Sequence, residues 1–190
     1  MTARLPRIAP EDMTAEQREI YAKFDSGDRV GSKSAFSLVH PEGGLIGPPS
    51  AWLLSPPLAH IFEQAGGAMR FALQLSERAR EIALLLHAFD RDCAFEIYAH
   101  RKAGRAAGLT DGEIEGLASR TPPSMETAEE RAVFHTTLAL LDRRRLNDGE
   151  YAVAVDVIGE RRLFELVSLI GHYDLVALQL TVFELTPPEE

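Results

Sequence analysis

The chain has 190 residues, of which 45% are hydrophobic, and its 29 acidic and 20 basic side chains give a formal net charge of −9. This length supports one domain, residues 1–190, with a hydrophobic core, and the negative charge argues against nucleic acid as a partner. A single cysteine excludes an intrachain disulfide. We find no signal-like N-terminus and no apolar run of about 20 residues. We therefore expect a soluble, cytoplasmic protein with no membrane partner.

Capping patterns and prolines divide the first part of the chain. Residues 14–24 begin with Thr14-x-x-Gln17, a pattern typical of a helix start. Glycine and proline crowd residues 27–49, which predicts a loop. Ser55-Pro56-Pro57 then starts a helix that runs to about Met69, with proline in its first turn.

The rest of the chain reads as a series of helices. A second capping box, Thr110-x-x-Glu113, marks one start, and Gly108 and Pro122-Pro123 mark ends. No segment alternates with a period of two, so we predict an all-α fold. The run 163–183 is apolar on all sides and is expected to be central or to lie at a subunit contact. The predicted helices are 76–92, 93–107, 110–117, 128–144, 148–157 and 163–183.

The most specific chemical pattern surrounds the single cysteine. Cys93, Glu96 and His100 have the spacing i, i+3, i+7, which places them on one face of a continuous helix, and Glu81 precedes them on the previous helix. A thiol, two acids and an imidazole can act as nucleophile, base and orienting groups. Cys93 is expected in the first helical turn, where the helix dipole favours the thiolate.

Simpler interpretations of the same residues stay open. A free cysteine is often a small buried hydrophobic residue, and Glu81 could pair with Arg78 or Arg80 on the solvent side. His172 is equally compatible with a core histidine whose hydrogen bonds are satisfied. Cys93, Glu96 and His100 are three groups that could bind zinc or copper, but without a fourth ligand this is a weak metal pattern. We expect no metal and no cofactor.

Three segments resemble the carboxymuconolactone decarboxylase family, which includes alkylhydroperoxidase D. They are LSERAREIA at 75–83, CAFEIYAH at 93–100 and AAGLTDGEI at 106–114, and the similarity is strongest over residues 67–117. The resemblance implies an alkylhydroperoxidase D-like helical fold and a homo-oligomer, commonly a trimer or a hexamer. In the peroxidase branch, a glutamate, a Cys-x-x-Cys pair and a histidine relay protons. Glu81, Cys93 and His100 match that set, whereas Glu96 stands at the second cysteine.

The Cys-x-x-Glu variant favours one activity over another. A carboxylate cannot form a disulfide, so the dithiol peroxidase cycle is lost. The leading prediction is therefore acid–base chemistry of the lyase or isomerase type on a small carboxylated or lactone substrate, with Glu81, Cys93, Glu96 and His100 as catalytic residues. The alternatives are a one-cysteine thiol peroxidase and a non-catalytic oligomeric protein that binds a small molecule or metal. Side chains expected to line the substrate pocket are Trp52, Phe89, Phe95, His172 and Tyr173.

Overall fold

A computed structural model describes residues 4–25 and 37–188 of the protein. Within these ranges the chain is helical, and its only extended pairing is an isolated antiparallel bridge between Val39 and Leu45. The all-α prediction is confirmed. Residues 27–36 of the predicted loop lie outside the described residues. The helices are α1 (Ala15–Asp25), α2 (Pro48–Trp52), α3 (Pro56–Phe71), α4 (Glu77–Asp90), α5 (Ala94–Ala106), α6 (Asp111–Ala118), α7 (Ala128–Arg143) and α8 (Asp148–Val182).

The predicted helix starts are set by side-chain caps. The Thr14 hydroxyl accepts from the Gln17 amide, and the Gln17 side chain accepts from the Thr14 amide. Thr110 and Glu113 form the same reciprocal capping box at α6. At the end of α5, Gly108 has a φ of +93°, a left-handed conformation that favours glycine. Local sequence therefore determines these helix ends correctly.

The C-terminal run 148–182 consists of two helical segments that meet at a kink, as predicted, and we keep the label α8 for the whole run. Gly159 marks the kink, because its φ of 78° and ψ of 160° are not helical. The predicted bounds, 148–157 and 163–183, leave a wider gap than the structure does, because the other residues between them are helical.

Helix α8 is also long and apolar enough to cross a membrane, by length and composition alone. From the sequence we expected no segment of that kind. Half of the most apolar 18-residue window of α8 is buried inside the protein, which is typical of a core helix.

The described residues form two compact units. The first runs to Ala72 and resumes at Leu178, and the second is Leu73–Ala177. In the first unit Trp52 packs between the rings of Phe24 and Phe62, and its indole N–H donates to Gln179 at 2.9 Å. The prediction of a single domain is left untested by this division.

The second unit is organised around α4, which packs against α5, α6 and α7. Ser76 caps α4 by accepting from the Ala79 amide. The buried residues of α4 are apolar, as expected for a helix packed against several others, except for Glu81 and His87. The core cluster consists of Ile82, Leu85, Leu86, Leu109, Ile114, Leu117, Phe134 and Leu141.

Candidate functional site

A tight turn between α4 and α5 presents the single cysteine. Asp92 has a φ of 48°, and Cys93 has the extended angles φ −91° and ψ 96°. The Cys93 amide donates to the Ala88 carbonyl at 3.1 Å, which ties the turn to the end of α4. Cys93 is therefore the N-cap of α5 and not a member of its first turn, so the prediction of one continuous helical face holds for Glu96 and His100 only.

His100 lies between two carboxylates. Its Nδ1 is 2.7 Å from Glu81 Oε2, and its Nε2 is 3.1 Å from Glu96 Oε2. Glu81 reaches it from α4, whereas Glu96 is one turn earlier on α5, at the spacing i, i+4. All three residues are at most 4% exposed. We refer to Glu81, His100 and Glu96 as the relay.

The two carboxylates keep His100 protonated. Burial lowers the pKa of the imidazole, but the charges and hydrogen bonds of Glu81 and Glu96 outweigh it and raise the pKa to about 9. The imidazolium is consequently the resting form at neutral pH. Glu81 Oε1 also lies 3.5 Å from Arg80 Nε. Glu81 therefore has Arg80 as a cation partner, as the simpler interpretation expected, in addition to His100.

The Cys93 thiol is held in its neutral form. Burial raises its pKa to about 11, and the backbone amides of Glu96 and Phe95 at the helix start only partly oppose this. The expectation that the helix dipole favours the thiolate is therefore wrong in its net direction, because the thiol is only 3% exposed. Among the described residues we find no hydrogen bond between Cys93 and His100.

Of the five predicted pocket residues, Tyr173 lies against the relay. Its ring meets the His100 ring edge-on with centroids 5.1 Å apart, and His172 meets Tyr173 in the same manner at 5.5 Å. Burial lowers the pKa of His172, while the charge of Glu96 raises it. These two residues of α8 thus belong to the surroundings of the relay.

The other three predicted pocket residues have packing roles in the structure. Phe89 packs against the core cluster and lies under the Arg101 guanidinium, 5.5 Å from its ring centroid. Phe95 is buried, with its ring 6.2 Å from that of Tyr98. Trp52 belongs to the first unit and is packed there. None of these contacts indicates that the three residues line a substrate pocket.

Sequence reasoning missed a second polar cluster in the same unit. His87, fully buried on α4, lies 2.9 Å from Asp174, the residue after Tyr173. Asp174 also accepts from Arg91 at 2.8 Å and contacts Arg144. In the sequence, the one sign of this cluster was a histidine within the apolar run of α4. Its partner could not be identified because it is 87 positions away.

The second unit also has a groove that the relay does not line. Among the residues that the structure describes, no group of three or more His, Cys, Asp or Glu side chains is placed to hold a metal ion. A groove of about 620 Å³ runs between α7 and the start of α8, lined mainly by small and apolar side chains such as Leu138, Val153 and Val157. No relay residue lines this groove.

Comparison with solved structures identifies the fold. The chain is similar to a crystal structure described as an alkylhydroperoxidase AhpD core, an uncharacterized peroxidase-related protein from Ralstonia eutropha JMP134. The TM-score is 0.74 at 12% sequence identity, over 98% of this chain and 93% of that chain. An identity this low establishes the fold alone, and the predicted alkylhydroperoxidase D-like helical fold is confirmed at that level.

Comparison by sequence adds nothing to this. No protein-family model matches the chain, and a search of curated proteins finds no match.

Proposed function

We propose that the protein is an enzyme that performs acid–base chemistry on a small carboxylated or lactone substrate, as a lyase or isomerase without a cofactor, in the cytoplasm. The observation that supports this most is the buried imidazolium of His100, held between Glu81 and Glu96. A proton donor fixed in an apolar environment by two carboxylates is suited to protonating a carbanion or enolate.

Each member of the relay has a defined role in this proposal. When a carboxylated lactone loses carbon dioxide, the electron pair of the broken C–C bond remains as an enolate, which must take up one proton. Glu96, which contacts His100 Nε2 at 3.1 Å, passes a proton from that nitrogen to the enolate. Glu81 on Nδ1 stabilises the imidazole in the required orientation.

The experiment is a turnover assay on a panel of lactone acids. Carbon dioxide release and deuterium uptake from D₂O are followed by NMR for the wild-type protein, His100→Ala and Glu96→Gln. General acid–base catalysis contributes about 10²–10⁴-fold, so we expect a loss of at least about 100-fold in each variant. Glu115→Gln is the matched control, because Glu115 is an exposed carboxylate paired with Arg101. Full turnover in both relay variants would refute the proposal.

A one-cysteine thiol peroxidase is the second candidate. The solved structure that shares the fold is described as peroxidase-related, which favours it. Attack of the Cys93 sulfur on a peroxide would give a sulfenic acid at Cys93. An external thiol would have to reduce this sulfenic acid, because Glu96, at the position of the second cysteine, cannot form a disulfide. The raised pKa of the buried thiol opposes this chemistry. Mass spectrometry after stoichiometric peroxide distinguishes the two: rapid sulfenic acid formation at Cys93 supports the peroxidase.

A homo-oligomer, a trimer or hexamer, is part of the proposal. Along α8, Phe164, Val167 and Leu175 are 73%, 45% and 38% exposed. An exposed apolar row on a helix favours contact with another protein surface. Light scattering of the wild-type protein and of Phe164→Glu tests this, since the charge should dissociate an oligomer formed through that row. A wild-type monomer would contradict the proposal without affecting the relay chemistry.

A further inference from the structure

A groove follows the contact between α7 and the first segment of α8, and no relay residue lines it. Arg143 pairs with Glu150 at 2.5 Å beside the turn between the two helices. Near the opposite end Glu129 Oε1 lies 3.6 Å from Arg162 Nε, so the helices run antiparallel. The start of α8 is capped reciprocally: Asn147 Oδ1 accepts from the Glu150 amide, and the Glu150 carboxylate accepts from the Asn147 amide. Polar contacts thus hold both ends of the helix pair, and the groove between them is a fixed feature of the second unit.

Small side chains form the floor of this groove. Ala139 of α7 and Ala154 of α8 both line it, and they are 7% and 1% exposed. An alanine projects only a methyl group, so two helices that meet through alanines leave a channel beside their contact, which larger side chains would fill. Val153 and Val157, one turn apart on α8, border the channel and are 63% and 38% exposed. An apolar ligand in the channel would remove this hydrocarbon surface from water.

The groove is long and narrow. Its lining on α7 extends from Ala128 to Arg143, which at about 1.5 Å per residue is about 22 Å. Its volume of about 620 Å³ is within the range of about 300–1,000 Å³ that is typical of small-molecule sites. Spread over about 22 Å, this volume gives a mean cross-section of about 28 Å². A further α-helix, about 10–12 Å across, is too wide for such a channel, whereas a single unbranched alkyl chain has suitable dimensions.

The charges along the groove are unevenly compensated. Four charged residues line it: Arg131, Asp142, Arg143 and Glu150. Arg143 pairs with Glu150, and Asp142 accepts from Arg120 at 2.6 Å. Arg131 donates to a backbone carbonyl at 3.2 Å and has no acidic partner in the described part of the chain. One positive charge is therefore left at the end of the groove that is remote from the α7–α8 turn.

A single positive charge beside an apolar channel selects a ligand with an acidic head and a hydrocarbon body. The guanidinium of arginine presents N–H donors in a planar fork that matches a carboxylate. One positive charge balances one carboxylate, whereas a phosphate monoester carries about −1.5 to −2 at pH 7. His135 follows Arg131 by one helical turn on the same face of α7 and also lines the groove. Its ring N–H is a second donor at the same end.

We propose that this groove binds a free fatty acid of medium chain length. The Arg131 guanidinium holds the carboxylate, and the alkyl chain lies over Ala139 and Ala154, with Val153 and Val157 along its side. A fatty acid is the class of ligand that combines one negative charge with an unbranched apolar chain. The site is separate from the relay, so this proposal and the proposed acid–base function do not depend on each other.

The first test titrates the wild-type protein with hexanoate, octanoate and decanoate at pH 7 and follows ¹³C-labelled valine methyl groups by NMR. We expect saturable shifts at Val153 and Val157, with one molecule bound per chain. The affinity should rise roughly fourfold for each added methylene that the channel buries. Uncharged octanol should bind about tenfold more weakly than octanoate. Absence of saturable shifts at these valines, or equal affinity for octanol and octanoate, would overturn the proposal.

The second test measures binding of decanoate and octanol by Arg131→Gln. We expect the affinity for decanoate to fall about tenfold, since glutamine carries no charge, and the affinity for octanol to stay within about twofold. Val153→Glu, at an exposed position, should weaken both ligands, because it replaces an apolar wall with a negative charge. Arg145→Gln is the matched control, since Arg145 is exposed and does not line the groove. Unchanged decanoate binding by Arg131→Gln would refute the role of this guanidinium and with it the proposal.

A second copy of the chain is the competing occupant, and dilution distinguishes it from a fatty acid. If another copy covered the groove, the Val153 and Val157 signals would change with protein concentration in the absence of ligand, and decanoate would not bind. That result would overturn the proposal. Signals that are independent of concentration, together with the expected chain-length series, support it even if Arg131→Gln does not fold. Failure of decanoate binding leaves the acid–base proposal standing, because no relay residue lines the groove.

Discussion

Two buried histidines in the same unit have opposite protonation states, although both are shielded from water. His100 on α5 contacts a carboxylate at each ring nitrogen, and its pKa rises to about 9. His87 on α4 contacts one carboxylate, Asp174, which is already neutralised by two arginines, and its pKa falls. Burial alone would lower both values, so the number of uncompensated carboxylates decides the sign.

The largest test of this comparison removes one imidazole at a time. His100→Ala removes the imidazolium from Glu96 and leaves Glu81 with Arg80 alone, so we expect the free energy of unfolding at pH 7 to fall by about 3–5 kcal/mol. His87→Ala leaves Asp174 with Arg91 and Arg144, and we expect a loss of about 1–3 kcal/mol. Urea denaturation measures both. Equal losses would contradict the claim that His100 balances more buried negative charge than His87 does.

The next test titrates the relay in the intact protein. The folded pKa of His100, about 9, lies above its unfolded value of 6.5, so its stabilisation is complete below pH 6.5 and is lost as pH rises through 9. The loss should be on the order of 3 kcal/mol. We expect the urea midpoint of wild type to fall between pH 7 and 10, and that of His100→Gln to change much less. Parallel curves for the two proteins would disprove a raised pKa.

A smaller effect is expected for the carboxylate that orients His87. The pKa of Asp174 falls from 3.8 to about 2 in the folded state, so its stabilisation is present above pH 3.8 and is lost as pH falls through 2. After allowance for solvent screening, Asp174→Asn should cost about 1 kcal/mol at pH 7. The difference from wild type should narrow on acid titration, followed by circular dichroism. Asp142→Asn, in an exposed pair with Arg120, is the control.

The smallest effect concerns the buried thiol of Cys93. A pKa of about 11, compared with the ordinary 9.0, means about 100-fold less thiolate at pH 7. We expect iodoacetamide to alkylate Cys93 more slowly than it alkylates glutathione, and urea to remove the difference. Faster labelling of the folded protein would indicate an activated thiolate. It would also favour the one-cysteine thiol peroxidase over the acid–base enzyme.

Local sequence patterns located the helices and half of the site. The Thr14–Gln17 and Thr110–Glu113 boxes fixed helix starts because each is formed by neighbouring residues. The contact between Glu96 and His100 followed in the same way from their separation by one helical turn. Glu81 was named as an acid on the preceding helix, but its contact with His100 depends on the packing of α4 against α5, which no local pattern gives.

Three features depended on the tertiary structure. The turn at Asp92 makes Cys93 an N-cap, and packing then buries its thiol, so a local argument from the helix dipole gave the wrong direction for its pKa. The two predicted segments of α8 meet at Gly159, and the structure reduces the predicted gap between them to a kink at that residue. The pairing of His87 with Asp174 joins residues 87 positions apart.

The amino-acid sequence by itself determined which segments are helical and which acid–base groups the chain contains, because helix formation and capping depend on residues within a turn or two of each other. Only the tertiary structure decided which of these groups are protonated. A pKa depends on burial and on charges within a few ångströms, and α4, α5 and α8 supply those charges from distant parts of the chain.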